Sequence, residues 1–261
     1  MSEAETTGSI SNICIGNAQR KLKETPSGLI LVPRPSGNYL VDDSVIAGPQ
    51  NRNTTTIGRD EELLSQVATL GETWQHMCKG EFESLKAIYS VPPYFAPKSH
   101  AWRKYARNGT GNVDTYFLLA EFRDVGQQPT DPVKLVTRLA GMHQRSVSPP
   151  GKFDFHISTC HAKITQVVNS WEESWCVLYT KHLGHVMGLA KPILQWPKFD
   201  VVCKLTLEKV VPRLLLPLQS DDRVLKPSIP HGDCWDGNTA MDMKTSEAFV
   251  FDVCSFYGHK E

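Results

Sequence analysis

One stretch near the C-terminus restricts this chain more than any other. It is HGDCWDGN at 231–238, followed by FVFDVCSFYGHKE at 249–261. Asp233 and Asn238 lie five positions apart, and Asp252 follows a turn later. Gly232 and Gly237 permit a tight loop that brings Asp233 and Asn238 to one side. Such a set suits phosphoryl transfer, which needs little covalent help from protein and much positioning and charge neutralisation. Asp233 is placed to orient an attacking hydroxyl and take its proton. Asn238 offers a neutral carbonyl oxygen to magnesium, and Asp252 an anionic one, in keeping with that ion's preference for hard oxygen donors. The Asp-to-Asn spacing alone describes any pair of turn formers. The preceding His-Gly, the tryptophan, the second glycine and the apolar strand ahead of Asp252 give the pattern its weight.

Composition excludes several alternatives. Lys+Arg and Asp+Glu balance at 28 each, so charge points to neither a nucleic-acid nor a membrane partner. An apolar content of 40% and a charged content of 21% over 261 residues suit a globular protein of one domain or two small ones. The start, MSEAETTGSISN, lacks the basic flank and apolar core of a secretory signal, and the longest apolar runs, such as Leu214–Leu216, are too short to span a bilayer. Seven cysteines without C-x-x-C spacing suggest a reduced, cytoplasmic setting. The sequons at Asn53 and Asn108 read as chance matches. A metal site from His156, Cys160, His161, Cys254 and His259 lacks the paired spacing of structural zinc.

Periodicity supplies a coarse map. Residues 1–59 are rich in Gly, Pro, Ser, Thr and Asn, a loop composition, with short apolar patches at 29–32 and 39–41. A helix is predicted from Thr73 to Tyr89 and is stopped by VPPYFAP. TYFLLAEF, 115–122, reads as a buried strand. Asp131-Pro132 opens a helix to about Arg145, with aspartate at the cap and proline in the first turn. Helical spacing recurs over Thr165–Met187 and over Phe199–Leu215, where Pro212 ends or kinks it. Ala248–Asp252 reads as a short strand.

The two C-terminal motifs, together with LAGMHQRSVSPPGKFDF, NSWEESW, LLAEF and KGEFESLKAIY, resemble the fructosamine (ketosamine) kinases, especially fungal members. That family is grouped with the aminoglycoside phosphotransferases in the protein-kinase-like fold. The resemblance covers Val67 to Glu261; Cys234 stands where the family has leucine, and Lys260 where arginine or asparagine is usual. It implies an α+β, two-lobed fold: a poorly ordered segment over 1–60, a partial small lobe and hinge over 61–123, and a mainly helical large lobe over 124–261 that ends early. It implies ATP and Mg2+ as cofactors, and a glycated protein or small ketosamine as substrate, phosphorylated on the sugar 3-hydroxyl so that the adduct becomes labile. By the same resemblance Asp233 is the catalytic base and Asn238 and Asp252 hold magnesium. Trp235 lies against the sugar, backbone groups of Glu121 and Arg123 face the adenine edge, and Glu81 pairs with an ATP-positioning lysine. His143 reads as structural, Met77 and Met142 as core.

The chain departs from the family pattern at definite places. Gln66 occupies the position of the phosphate-contacting lysine. VDDSVIA, 41–47, resembles the family's first helix, yet only about fifteen residues separate it from LLSQVAT, with no clear phosphate-covering loop. GSISNICIG, 8–16, lies on the wrong side of it. The family's P-Q-D-N-x-W becomes TQVVNSW. A second expectation therefore stands beside the enzyme: a kinase-fold remnant with little catalysis, acting as a binding protein.

Overall fold

The computed structural model describes residues 32–33, 39–40, 52–57, 62–68, 72–104, 114, 116–125, 128–161, 164–166 and 170–260, with side chains from residue 74 onward. The segments at 8–16 and 41–47 and the Asn108 sequon lie outside the described residues.

Two dipeptides, β1 (Val32–Pro33) and β2 (Tyr39–Leu40), pair antiparallel. The main sheet is four-stranded and antiparallel, in the order β3 (Arg52–Ile57), β4 (Glu62–Ala68), β6 (Tyr116–Glu121), β5 (Ser99–Lys104). The interval between residues 47 and 63 thus contributes a strand. β6 is the apolar run anticipated from sequence; it lies between two neighbours, and Tyr116, Leu118, Leu119 and Ala120 are all buried. β5 was not anticipated. It is an edge strand of mixed polarity, SHAWRK, with no buried residue and so no apolar run to betray it.

Helix α1 (Glu72–Tyr89) packs on β5 and β6 through a face that buries Leu85 and Ile88. Helix α2 (Pro132–Arg145) starts as expected: the Asp131 carboxylate accepts the Val133 and Lys134 N–H groups at 2.9 and 3.1 Å, and Pro132 needs no donor in the first turn. One apolar cluster joins α1, β6 and α2 to the C-terminal segment through Leu85, Ile88, Leu118, Met142, Phe155 and Val250. Met142 is core, as expected, whereas Met77 is only partly covered.

The helix expected over Thr165–Met187 is displaced. Residues 164–165 instead form β8 (Ile164–Thr165), hydrogen-bonded to β7 (Cys160–His161). Asp154 accepts the Ser170 N–H at 2.7 Å and Phe153 pairs with Glu172, which holds the chain extended until Ser174 caps α3 (Trp175–Leu194). Beyond it, α4 (Phe199–Leu205), a widened turn at Thr206–Val210 and α5 (Val211–Leu215) run on continuously. The widened turn directly precedes Pro212, which has no N–H for the carbonyl four residues back and would crowd it in a regular helix. These three helices expose much apolar surface, including Ile193 at 80% and Leu214 at 63%. Among the described residues no helix is long and apolar enough to cross a membrane.

Candidate active site

A hairpin builds the site. β9 (Thr239–Met241) and β10 (Ala248–Val250) pair antiparallel, and the loop 230–238 precedes them. The strand expected to reach Asp252 ends at Val250, because the Phe251 N–H turns to donate to the Asn238 carbonyl at 3.1 Å. Val250 donates to the Phe95 carbonyl at 2.8 Å, and Ser255 N–H to Ser84 Oγ at 3.0 Å, tying the hairpin to α1 and the turn after it.

The loop is set by His231, which is buried. Its Nε2 lies 3.0 Å from the Phe251 carbonyl and its Nδ1 accepts the Asp233 N–H at 3.2 Å. This fixes the tautomer as Nε2–H. Burial lowers the imidazole pKa to about 4, outweighing the Phe251 carbonyl and the Asp233 charge, so the ring is neutral. Gly232 is required twice over: its φ is +91°, and a Cβ there would lie 2.2 Å from the Cys254 carbonyl oxygen. Gly237 is required once, since a Cβ would lie 2.2 Å from the Trp235 ring. Trp235 therefore lies flat over the loop, 39% exposed, and is not a core tryptophan.

Asp233 is held on both oxygens. Asn238 Nδ2 donates to Oδ2 at 3.1 Å and to the Asp233 carbonyl at 3.0 Å; His161 Nε2, on β7, lies 3.1 Å from Oδ1. Because Asn238 spends its Nδ2 on Asp233, its Oδ1 remains as a neutral oxygen donor. Asp252 has a left-handed backbone, φ +55°, and its carboxyl pKa is raised to about 6, first by burial and then by the Asp233 charge, with His161 opposing. Glu81 on α1 completes the group. Its Oε1 is sealed from solvent without a hydrogen-bond partner among the described residues, and burial, followed by the Asp252 charge, pushes its pKa well up.

Asp252 thus lies within electrostatic reach of Asp233 on one side and Glu81 on the other, with a half-exposed histidine as counterweight. The arrangement fits a divalent cation: the oxygens are hard donors, and a cation would offset both the burial and the Asp233 charge that raise Asp252. No three His, Cys, Asp or Glu side chains among the described residues gather into a self-sufficient metal site. An ion on Asn238 and Asp252 would complete its shell with phosphate or water oxygens. Of the five residues weighed as a separate metal set, the three histidines have other partners: His156 meets Glu83 at 3.3 Å, His161 meets Asp233, and His259 lies against Trp175.

At the end of β6 the Glu121 N–H donates to the Lys98 carbonyl at 2.8 Å, and its carboxylate accepts from the Lys98 N–H at 3.1 Å. The Arg123 side chain is buried between Glu121 and Asp242, at 2.9 Å from each, a tie that sequence reasoning did not anticipate. Gln66 sits on β4 opposite Leu118 of β6. His161 and His231 were also missed as contributors to the Asp233 environment. The His-Gly preceding Asp233 was a usable signal for His231; nothing in the sequence pairs His161 with a residue so far along the chain.

The sequence profile of the fructosamine kinase family matches residues 41–261. The chain is 27% identical over 188 residues to the chloroplastic protein-ribulosamine 3-kinase of Arabidopsis thaliana, covering 71% of this chain and 52% of that protein. It is 28% identical over 215 residues to ketosamine-3-kinase of Mus musculus, covering 72% and 63% respectively. The chain thus spans about half to two thirds of the length of these relatives. In fold it is similar to a candidate fructosamine-3-kinase of Haemophilus somnus 129PT, with a TM-score of 0.59, 18% identity and coverage of 82% of this chain and 65% of that one. A second such structure, from Thermobifida fusca YX-ER1, gives a TM-score of 0.55 at 17% identity and covers 80% and 69%. The expected α+β kinase-like fold is confirmed, and the chain belongs to the fructosamine kinase family.

Proposed function

We propose that this chain phosphorylates ketosamines, the sugar adducts of amines, from ATP. The observation that carries the proposal is the Asn238–Asp233 hydrogen bond at 3.1 Å, with Asp252 near enough to feel the Asp233 charge and Glu81 that of Asp252. In this reading Asp233 Oδ1 orients the sugar 3-hydroxyl and receives its proton, and Asn238 holds the base in place while offering Oδ1 to magnesium. Asp252 supplies the anionic magnesium ligand. Trp235 gives the sugar ring an apolar face, and backbone groups of Glu121 and Arg123 meet the adenine edge. ATP supplies the phosphoryl group and magnesium neutralises its developing charge. The family match and the names of the curated relatives support this reading, as does the donor chemistry. Glycated lysines of proteins are the substrates we favour, and release of the free lysine the outcome.

We further divide the chain into an N-terminal segment 1–60, a small lobe and hinge 61–123 and a large lobe 124–261. A reducing, cytoplasmic setting accords with the absence of any disulfide among the described cysteines.

The test is ADP release with fructoselysine, wild type against Asp233→Ala. A general base contributes about 10²–10⁴-fold, so the variant should fall by that factor. Equal rates would overturn the proposal. One observation favours a second reading, a binding protein with little turnover: Gln66 lies on the sheet strand where the family places its lysine. Tight ketosamine or ATP binding without ADP release would establish it.

A further inference from the structure

The carboxylate read as the catalytic base is already oriented without outside help. Asn238 grips Asp233 at Oδ2 and at the backbone carbonyl, and His231 accepts its N–H at 3.2 Å. All three contacts come from the same loop. His161 comes from elsewhere, at the end of the two-residue strand β7, and places Nε2 3.1 Å from the one carboxylate oxygen the loop leaves unclaimed. A general base must bring an oxygen to roughly 2.6–3.2 Å from the hydroxyl it serves. Oδ1 is that oxygen, and the imidazole stands on it.

We propose that His161 is a displaceable latch on Asp233, occupying the acceptor-hydroxyl position in the empty site and giving way to the sugar when a ketosamine binds. The inference rests on the reading of Asp233 as the base of a ketosamine kinase. Three observations on the pair support displacement. The His161 side chain is 49% exposed, so it has open solvent to swing into. The Asp233 side chain is 24% exposed, so Oδ1 is approached from a limited direction and one occupant hinders another. A single polar contact at a half-exposed imidazole is weak, which lets a neutral hydroxyl compete with it. His161 is thus a positioning residue whose effect falls on acceptor affinity and not on the chemical step.

Binding of fructoselysine without nucleotide, measured by calorimetry on wild type, His161→Ala and His161→Asn, tests this. A weak surface pair corresponds to a competition of about two- to fivefold. The dissociation constant should therefore tighten by about that factor in both variants, with the acceptor KM falling in parallel and kcat and the ATP KM unchanged. Asp233→Asn removes the partner of the latch, so adding His161→Ala to it should give no further gain. Weaker binding in His161→Ala would show that the imidazole shares Oδ1 with the hydroxyl or contacts the sugar, and would overturn the latch. Equal affinity in wild type and both variants would overturn it alone, leaving the kinase reading intact. Failure of all the proteins to bind fructoselysine would overturn the kinase reading and the latch together.

Discussion

Arg123 Nη1 donates to Asp242 Oδ2 at 2.9 Å, joining the end of β6 to the turn of the β9–β10 hairpin across 119 residues of sequence. Nη2 reaches Glu121 Oε2 at the same distance. Burial by itself would raise the Asp242 pKa. Hydrogen bonds from Arg123 and from the Thr245 and Lys244 amides outweigh burial and hold the carboxyl below its usual range. Arg123→Ala leaves the buried Asp242 carboxylate without its cation, held by the Lys244 and Thr245 amides alone. The expected loss is about 3–5 kcal/mol, read as a lower urea midpoint. Arg123→Lys should recover only part of it, since an ammonium cannot serve two carboxylates in the fork geometry of a guanidinium. Stability equal to wild type in Arg123→Ala would refute the tie.

The contact between Gly237 and Trp235 predicts a non-additive pair. A methyl group at 237 would sit 2.2 Å from the indole, so Gly237→Ala must push the ring aside. Overpacking of this kind costs about 1–3 kcal/mol. In a Trp235→Ala background the same change should cost little. Additive losses in the double variant would show that the ring does not rest on the loop as described.

His231 gives the fold a defined acid sensitivity. Its folded pKa is about 4 against an unfolded value of about 6.5, so below the latter the unfolded chain takes up a proton that the folded chain refuses. The neutral ring therefore contributes full stability above about pH 6.5, and the contribution is lost as pH falls toward 4. The shift corresponds to roughly 3 kcal/mol. Urea unfolding at pH 7.5, 6, 5 and 4 should show this decline in wild type. In His231→Asn the part of the slope between pH 6.5 and 4 should shrink. Parallel slopes in the two proteins would contradict a buried, neutral His231.

Glu81 predicts the effect of restoring a cation. Its raised pKa, from burial and then from Asp252, marks a carboxylate whose charge the fold disfavours. Glu81→Gln should therefore stabilise the protein at pH 8 and change little at pH 4. Gln66→Lys returns a positive charge to β4; one preorganised electrostatic group typically changes rate by about 10²–10³-fold. Tighter ATP binding and faster turnover are expected, and both gains should vanish when Glu81→Gln is added. Gains that survive in the double variant would mean that residues 66 and 81 do not meet.

The site was more legible in the sequence than the scaffold around it. Asp233, Asn238 and Asp252 were readable because the loop and hairpin that bring them together are short, so chain spacing carries the geometry. The start of α2 was readable because Asp131-Pro132 is a local signal, and β6 because a central strand must be apolar. β5 was not, since an edge strand needs no apolar run. The start of α3 was misplaced because the bonds that hold residues 170–172 extended come from Asp154 and Phe153, which local periodicity does not register. The same holds for His161 and Arg123, whose partners lie at positions 233 and 242.

Asp252 carries a further consequence. Its left-handed backbone, φ +55°, is one that aspartate and asparagine adopt more readily than most residues and glycine most readily of all. Its carboxyl pKa, raised to about 6 first by burial, means that the ionised form is a burden on folding at neutral pH. Exchange for asparagine would remove that burden without disturbing the backbone, so thermodynamic robustness gives no reason to keep an acid there. An acid kept at a position that burdens folding accords with the role proposed for it, an anionic oxygen offered to a cation.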